Sequence, residues 1–176
     1  MPDVPATARP WAALTWPVKE SFLAYVRRMG GRVTIVRPAY PGEHGFAFPH
    51  APAPGTAQPR ELTFTGGVAF SAHGGALDIT LAEPVLVADE QGILLTVAAP
   101  ARPEGGTRAV IAVLAGSGLT QAPGDEAVAL VPRLTEDGSA LFGGVYPPGE
   151  TMDPLVVPGS LLAPVSRTRS GLDADQ

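Results

Sequence analysis

A chain of 176 residues holds one ordinary domain with a sizeable core, and its 17 acidic against 12 basic side chains (net charge -5) leave no basic stripe for a phosphate backbone, which disfavours nucleic-acid binding. The absence of cysteine removes disulfides, thiolate catalysis, zinc–thiolate sites and cysteine-ligated iron–sulfur clusters. The 21 glycines and 20 prolines follow no three-residue period, so collagen is excluded, and 45% hydrophobic content argues against wholesale disorder.

Residues 1–10 read as a flexible lead-in, 11–166 as a single domain and 167–176 as a polar tail. The lead-in carries Pro2, Pro5 and Pro10 and no apolar run, so it is no signal peptide. The longest apolar stretch, near Ala109 to Ala115, falls far short of the ~20 residues that span a bilayer. Read as written, the chain is expected to be cytoplasmic; in an exported form, its signal and anchor have been trimmed.

A helix is expected at about 17–29. Pro17 suits a first helical turn with Thr15 or Trp16 at the cap, Val18, Phe22, Tyr25 and Val26 share a face, and Gly30-Gly31 stops it. It is the only convincing helix. From Arg32 to Arg37 the chain is β-branched and reads as a strand. Pro38 to Pro59 reads as a loop with an aromatic insert, Phe46-Ala47-Phe48. Next, Leu62, Phe64, Val68 and Phe70 alternate with polar or small residues, His73-Gly74-Gly75 turns the chain, and Leu77, Ile79 and Leu81 return with Asp78 and Thr80 outward. That is a hairpin. Further strands are expected at 84–89, 92–99, 108–115, 127–134 and 140–146. The fold class is therefore all-β, an antiparallel sandwich with one short N-terminal α-helix.

General catalytic motifs are absent: no P-loop, no His-Glu-x-x-His and no Gly-x-Ser-x-Gly occurs. His44, His50 and His73 are too scattered for a three-histidine zinc site, and Asp78, Glu83, Asp89 and Glu90 read as solvated strand and turn residues. Ser21 and Tyr25, spaced i and i+4, project from one side of the helix. Spacing alone is equally served by a half-buried core tyrosine with a polar neighbour, and His73 by a turn histidine bonded to backbone.

Three blocks carry more information together. They are Leu14-Thr15-Trp16-Pro17-Val18-Lys19-Glu20-Ser21-Phe22-Leu23-Ala24-Tyr25, the hairpin Phe64 to Pro84, and Leu134 to Tyr146 followed by Pro148-Gly149 and Met152-Asp153-Pro154-Leu155. In this order they resemble the HtaA domain, the haem-binding module of actinobacterial haem-uptake proteins, over about 14–158. Pro17 departs from the glycine usual at its position. The resemblance implies a β-sandwich with a helix beside a haem pocket. It also implies that Tyr25 is the axial iron ligand, that His73 hydrogen-bonds it, and that Ser21 supports the pocket.

The chemistry of that arrangement is coherent. A free tyrosine has a pKa of about 10, so forming phenolate at pH 7 costs roughly 4 kcal/mol. A ferric ion offsets that cost, and the hard anionic oxygen favours ferric over ferrous haem. A neighbouring imidazole would orient the phenolate and tune its basicity. Phe22, Phe70 and Tyr146 are candidates for the walls of the pocket as well as for the core. Lys19, Arg27 and Arg28 are candidates for balancing the propionates, or else a solvated helix face.

The expected function is capture of ferric haem for uptake, transfer or buffering, without catalysis. The expected partners are haem and other haem-transfer proteins, with no nucleic acid and no membrane span; a homodimer is left open. The competing readings are an enzyme acting on haem (a degrading oxygenase or a peroxidase) and a β-sandwich interaction module without haem.

Overall fold

The alternating stretches form antiparallel strands. The computed structural model describes residues 12–51, 61–90, 92–99, 107–115 and 127–162. The chain opens with strand β1 (Ala13–Trp16), helix α1 (Glu20–Arg28) and strand β2 (Arg32–Val36). Short strands β3 (Tyr40–Gly42), β4 (Gly45–Pro49) and β5 (Glu61–Thr63) follow. The hairpin β6 (Gly67–Ala72) and β7 (Leu77–Ala82) comes next, then β8 (Val85–Asp89), β9 (Gly92–Ala98), β10 (Arg108–Ala115) and β11 (Ala127–Leu134). A second helix, α2 (Glu136–Leu141), and strand β12 (Leu155–Pro158) follow, with a helical turn at 159–162 ending the described residues.

One sheet has nine strands in the order β3-β4-β1-β12-β11-β10-β9-β8-β5; the other has three, β2-β6-β7. They pack as a β-sandwich around one apolar core. In the small sheet, Val33 faces Phe70 and Ile35 faces Val68, while Phe70 faces Ile79 and Val68 faces Leu81, so one face is continuously apolar. Asp78 and Thr80 point outward, as the alternation requires.

A β-bulge in β10 sets the position of α2. The register against β9 slips between Val110 and Ala112, leaving Ile111 as the extra residue, so burial runs through Ala109 and Ile111 and then shifts to Ala112 and Leu114. Thr135 then docks on the irregularity: its N–H donates to the Ile111 carbonyl (3.0 Å) and its hydroxyl to that of Val110 (2.6 Å). The same hydroxyl accepts from the Gly138 N–H at 3.0 Å, capping α2. A side chain at Gly138 would collide with the Ile111 carbonyl, which is why glycine is tolerated inside this helix.

Four expectations need correction. Helix α1 starts at Glu20 rather than near Pro17, because Ala13–Trp16 is claimed by long-range pairing with β4 and β12. Val18 is buried in the left-handed backbone region (φ 68°), outside the helix. Residues 140–146 are not a strand but the end of α2 and the turns after it, so the sandwich carries a second helix. The stretch 38–59 is not wholly loop: β3 and β4 occupy part of it, with Phe46, Ala47 and Phe48 buried. Finally, Leu62 and Phe64 do not continue β6. Strand β5 pairs with β8, and Phe64 bridges to His50. The lead-in 1–10 and the tail 167–176 lie outside the described residues.

Candidate functional site

The site is built on α1. Its end follows from Gly30 and Gly31: Gly30 adopts φ 66°, its N–H donates to the Arg27 carbonyl, and the Gly31 N–H returns 2.8 Å to the Val26 carbonyl. Phe22 and Val26 face the core, which leaves Ser21 exposed and Tyr25 half-buried on the neighbouring flank.

His73 comes from the other side. It occupies the turn between β6 and β7 in the left-handed region (φ 54°), a conformation uncommon outside glycine. The hairpin thus holds a histidine where its backbone is strained. The Tyr25 hydroxyl and His73 Nε2 lie 2.7 Å apart, with ring centroids 5.8 Å apart and planes inclined at 51°. A neutral phenol donates to Nε2; a phenolate would instead accept from the Nε2–H tautomer. Two residues 48 positions apart therefore share one hydrogen bond at an exposed location.

Ser21 is tied to a third segment. Its Oγ lies 3.2 Å from the Tyr146 hydroxyl. Tyr146 follows α2, and the Ser139 hydroxyl donates to its carbonyl at 2.6 Å. Beneath lies an edge-to-face aromatic cluster: Phe22 sits 5.1 Å from Phe70, 5.3 Å from Phe142 and 6.4 Å from Tyr146, centroid to centroid. Phe22 and Phe70 are both 0% exposed, so they support the site from below, while Tyr146 remains partly accessible.

The other charged candidates separate. Lys19 is engaged, with its ammonium on the Thr151 carbonyl (2.6 Å) and 3.3 Å from the Glu150 carboxylate. Arg27 and Arg28 are exposed in the last turn of α1, a position that favours cations. His44 is exposed between β3 and β4. His50 is half-buried against Phe64 (5.7 Å), and burial holds its imidazole below the ordinary value. Asp78, Glu83 and Glu90 are exposed and Asp89 is half-buried, all on strands or turns. Among the described residues no group of three or more His, Cys, Asp or Glu side chains is placed to hold a metal ion, and no helix is long and apolar enough to cross a membrane.

Sequence reasoning missed three contributors. Phe142 joins Phe22 and Tyr146 in the cluster. Ser139 anchors Tyr146. Asp153 supplies the N-terminus of α1: its carboxylate accepts from the Glu20 N–H (2.8 Å) and its carbonyl from the Trp16 indole (2.9 Å). Thr135 as a cap residue followed by the acidic Glu136 and Asp137 ahead of Leu141-Phe142 could have revealed α2 and, with it, Phe142. Nothing local announces Asp153, which acts 133 residues away.

Comparison with known proteins completes the description. A search of the curated proteins finds none that matches the chain by sequence. Among solved structures, the C-terminal domain of HtaA from Corynebacterium glutamicum superposes with a TM-score of 0.65 at 23% identity, covering 82% of this chain and 92% of that one. The N-terminal domain of the same protein gives 0.62 at 23%, covering 81% and 92%. The heme binding protein HtaB from Corynebacterium glutamicum gives 0.63 at 19%, covering 83% and 90%. These likenesses establish the shared fold. The model of the HtaA (Htaa) family matches residues 11–158, spanning both helices, both sheets and every residue of the Tyr25–His73 and Ser21–Tyr146 pairs, and the chain belongs to that family.

Proposed function

We propose that this chain binds ferric haem, with Tyr25 as the axial ligand, and carries or buffers it rather than transforming it. The observation that carries the reading is the 2.7 Å hydrogen bond between the Tyr25 hydroxyl and His73 Nε2 at the accessible end of α1. The name of the similar heme binding protein HtaB supports it.

The donor set suits an iron that arrives with its own macrocycle. A bare transition-metal ion is commonly held by about four protein ligands. Here one phenol stands at an exposed position and its imidazole neighbour is already committed to it. A porphyrin supplies four nitrogens of its own, so a single protein oxygen, that of Tyr25, would be enough to hold the iron. Ferric iron supplies the positive charge that keeps a phenolate ionised at neutral pH.

The chain's residues do the remainder. Tyr25 would hold the iron through its phenolate oxygen, its proton passing to solvent. His73, as the Nε2–H tautomer, donates to the phenolate and fixes its direction. Ser21 and Tyr146 offer hydroxyls at one edge of the site, suited to a propionate. Both hydrogen-bonded pairs are exposed, which favours exchange with a haem donor or acceptor protein.

A titration with ferric haem, followed at the Soret band, is expected to saturate at one equivalent per chain and to show a phenolate-to-iron charge-transfer feature. Weak, non-saturating uptake would overturn the proposal.

A further inference from the structure

Lys19 is the only lysine in the chain, and it does not behave as a solvated surface charge. Its side chain is 18% exposed. The ammonium donates to the Thr151 carbonyl at 2.6 Å, pairs with the Glu150 carboxylate at 3.3 Å and lies 5.5 Å from the centroid of the Tyr146 ring. Its main chain is committed as well: the Lys19 carbonyl accepts from the N–H groups of Phe22 (3.0 Å) and Leu23 (3.1 Å), opening α1. One residue therefore starts the helix that bears Tyr25 and reaches over the segment that bears Tyr146.

We infer that Lys19 is a positioning residue for the haem site, acting through Tyr146. This rests on the haem-binding reading above and adds to it the element that sets the site's far wall. Tyr146 is held by Phe22 and Phe142 against its ring, Ser139 on its carbonyl and Ser21 on its hydroxyl. Lys19 closes the set: it covers the ring and, by gripping Glu150 and Thr151, draws the chain that follows Tyr146 against α1. A partly exposed Lys–Glu pair contributes little to global stability, so the effect of Lys19 falls on geometry. A cation over an aromatic ring contributes more, and it depends on the charge.

The test compares Lys19→Met, Lys19→Arg, Tyr146→Ala and the Lys19→Met/Tyr146→Ala double variant. Haem loss is followed by transfer to excess apomyoglobin. Lys19→Met is expected to release haem about 3-fold faster or more, the scale a partly buried cation–π contact allows. Lys19→Arg, which keeps the charge and stacks on aromatics, is expected to stay near the native rate. In the Tyr146→Ala background Lys19→Met should add little, because the two act as one unit.

A haem-free arm is independent of the ligand. The tyrosine bands of the near-ultraviolet circular dichroism spectrum should change in Lys19→Met and not in Lys19→Arg, with the far-ultraviolet spectrum preserved in both. The single lysine allows a chemical version: acetylation, which removes the charge, should reproduce Lys19→Met, whereas reductive methylation, which keeps it, should not. Native release rates in Lys19→Met, or an undiminished effect in the Tyr146→Ala background, would overturn the inference. If the native protein takes up no haem, the haem reading fails by itself, and the haem-free spectra decide whether Lys19 positions Tyr146.

Discussion

Tyr25 and His73 divide one task unequally, and their variants should differ in kind. Tyr25→Ala removes the oxygen offered to iron, so the charge-transfer feature should vanish and haem retention fall sharply. The fold should survive, because Phe22 and Val26, not Tyr25, anchor α1. His73→Ala removes only the partner at 2.7 Å. Losing such a supporting hydrogen bond typically costs about 10–100-fold in affinity, so the spectrum should keep its tyrosinate character while haem leaves more readily. The double variant should be little worse than Tyr25→Ala. If His73→Ala abolishes coordination and Tyr25→Ala preserves it, the histidine is the ligand. His50 acts on stability instead. Burial lowers its pKa from 6.5, so as pH falls below that value the unfolded chain takes up a proton that the folded chain refuses. Stability should therefore decline as pH drops through that window and level off below the folded pKa. His50→Phe should remove that component, which urea midpoints across a pH series would report.

At the scale of elements, both helices are tied at their N-termini to distant segments, α1 by a distant side chain and α2 through its own cap residue. Helix α1 has no side-chain cap of its own at Lys19; the Asp153 carboxylate, brought by the chain entering β12, accepts from its first N–H. Helix α2 is short and depends on Thr135, whose hydroxyl both caps it and ties it to the bulge in β10. Thr135→Ala should cost about 1–2 kcal/mol, the usual scale for a lost N-cap. In a chain of this size that corresponds to a fall in Tm of roughly 2–8 °C. Thr135→Ser should recover most of the loss. The same change should loosen Tyr146, since Ser139 on α2 anchors its carbonyl. A Thr135→Ala variant with unchanged thermal stability would show that the bulge holds α2 without the hydroxyl.

Across the whole molecule, Phe22 is the point where the parts meet. Its ring touches Phe70 of the small sheet, Phe142 at the end of α2, and Tyr146 beyond it. Truncating a buried phenylalanine typically costs about 3–5 kcal/mol. Phe22→Ala should therefore lower the urea midpoint substantially and impair haem uptake together, because α1 would lose its seat on the sheet. Phe22→Leu should retain much of both. Loss of uptake with an unchanged midpoint would place Phe22 in direct contact with ligand, against its complete burial. The folded chain should also give a circular dichroism spectrum dominated by strand, with helix a minor part.

Period-two alternation made the β6–β7 hairpin legible from Val68 to Leu81, though not its start, because a half-buried strand must alternate and a tight turn needs glycine. The strands at 108–115 and 127–134 matched their expected limits for the same reason. Gly30-Gly31 likewise marked the end of α1, since only a residue at ease in the left-handed region closes a helix this way. The Ser21–Tyr25 spacing and the family resemblance pointed to α1 and to the β6–β7 turn, which the fold joins through the Tyr25–His73 hydrogen bond. Tertiary structure decided what local preference could not. Ala13–Trp16 became strand because β4 and β12 offered partners, moving the start of α1 past Pro17. Residues 140–146 became helix end and turn because the bulge at Ile111 presents carbonyls to Thr135. The Tyr25–His73 bond, the Asp153 cap and the Lys19 contacts join residues 48, 133 and 132 positions apart. Hydrogen-bond geometry is set by distances of a few ångströms in the folded chain, and sequence pattern carries distance only within a turn of helix or a pair of neighbouring strands.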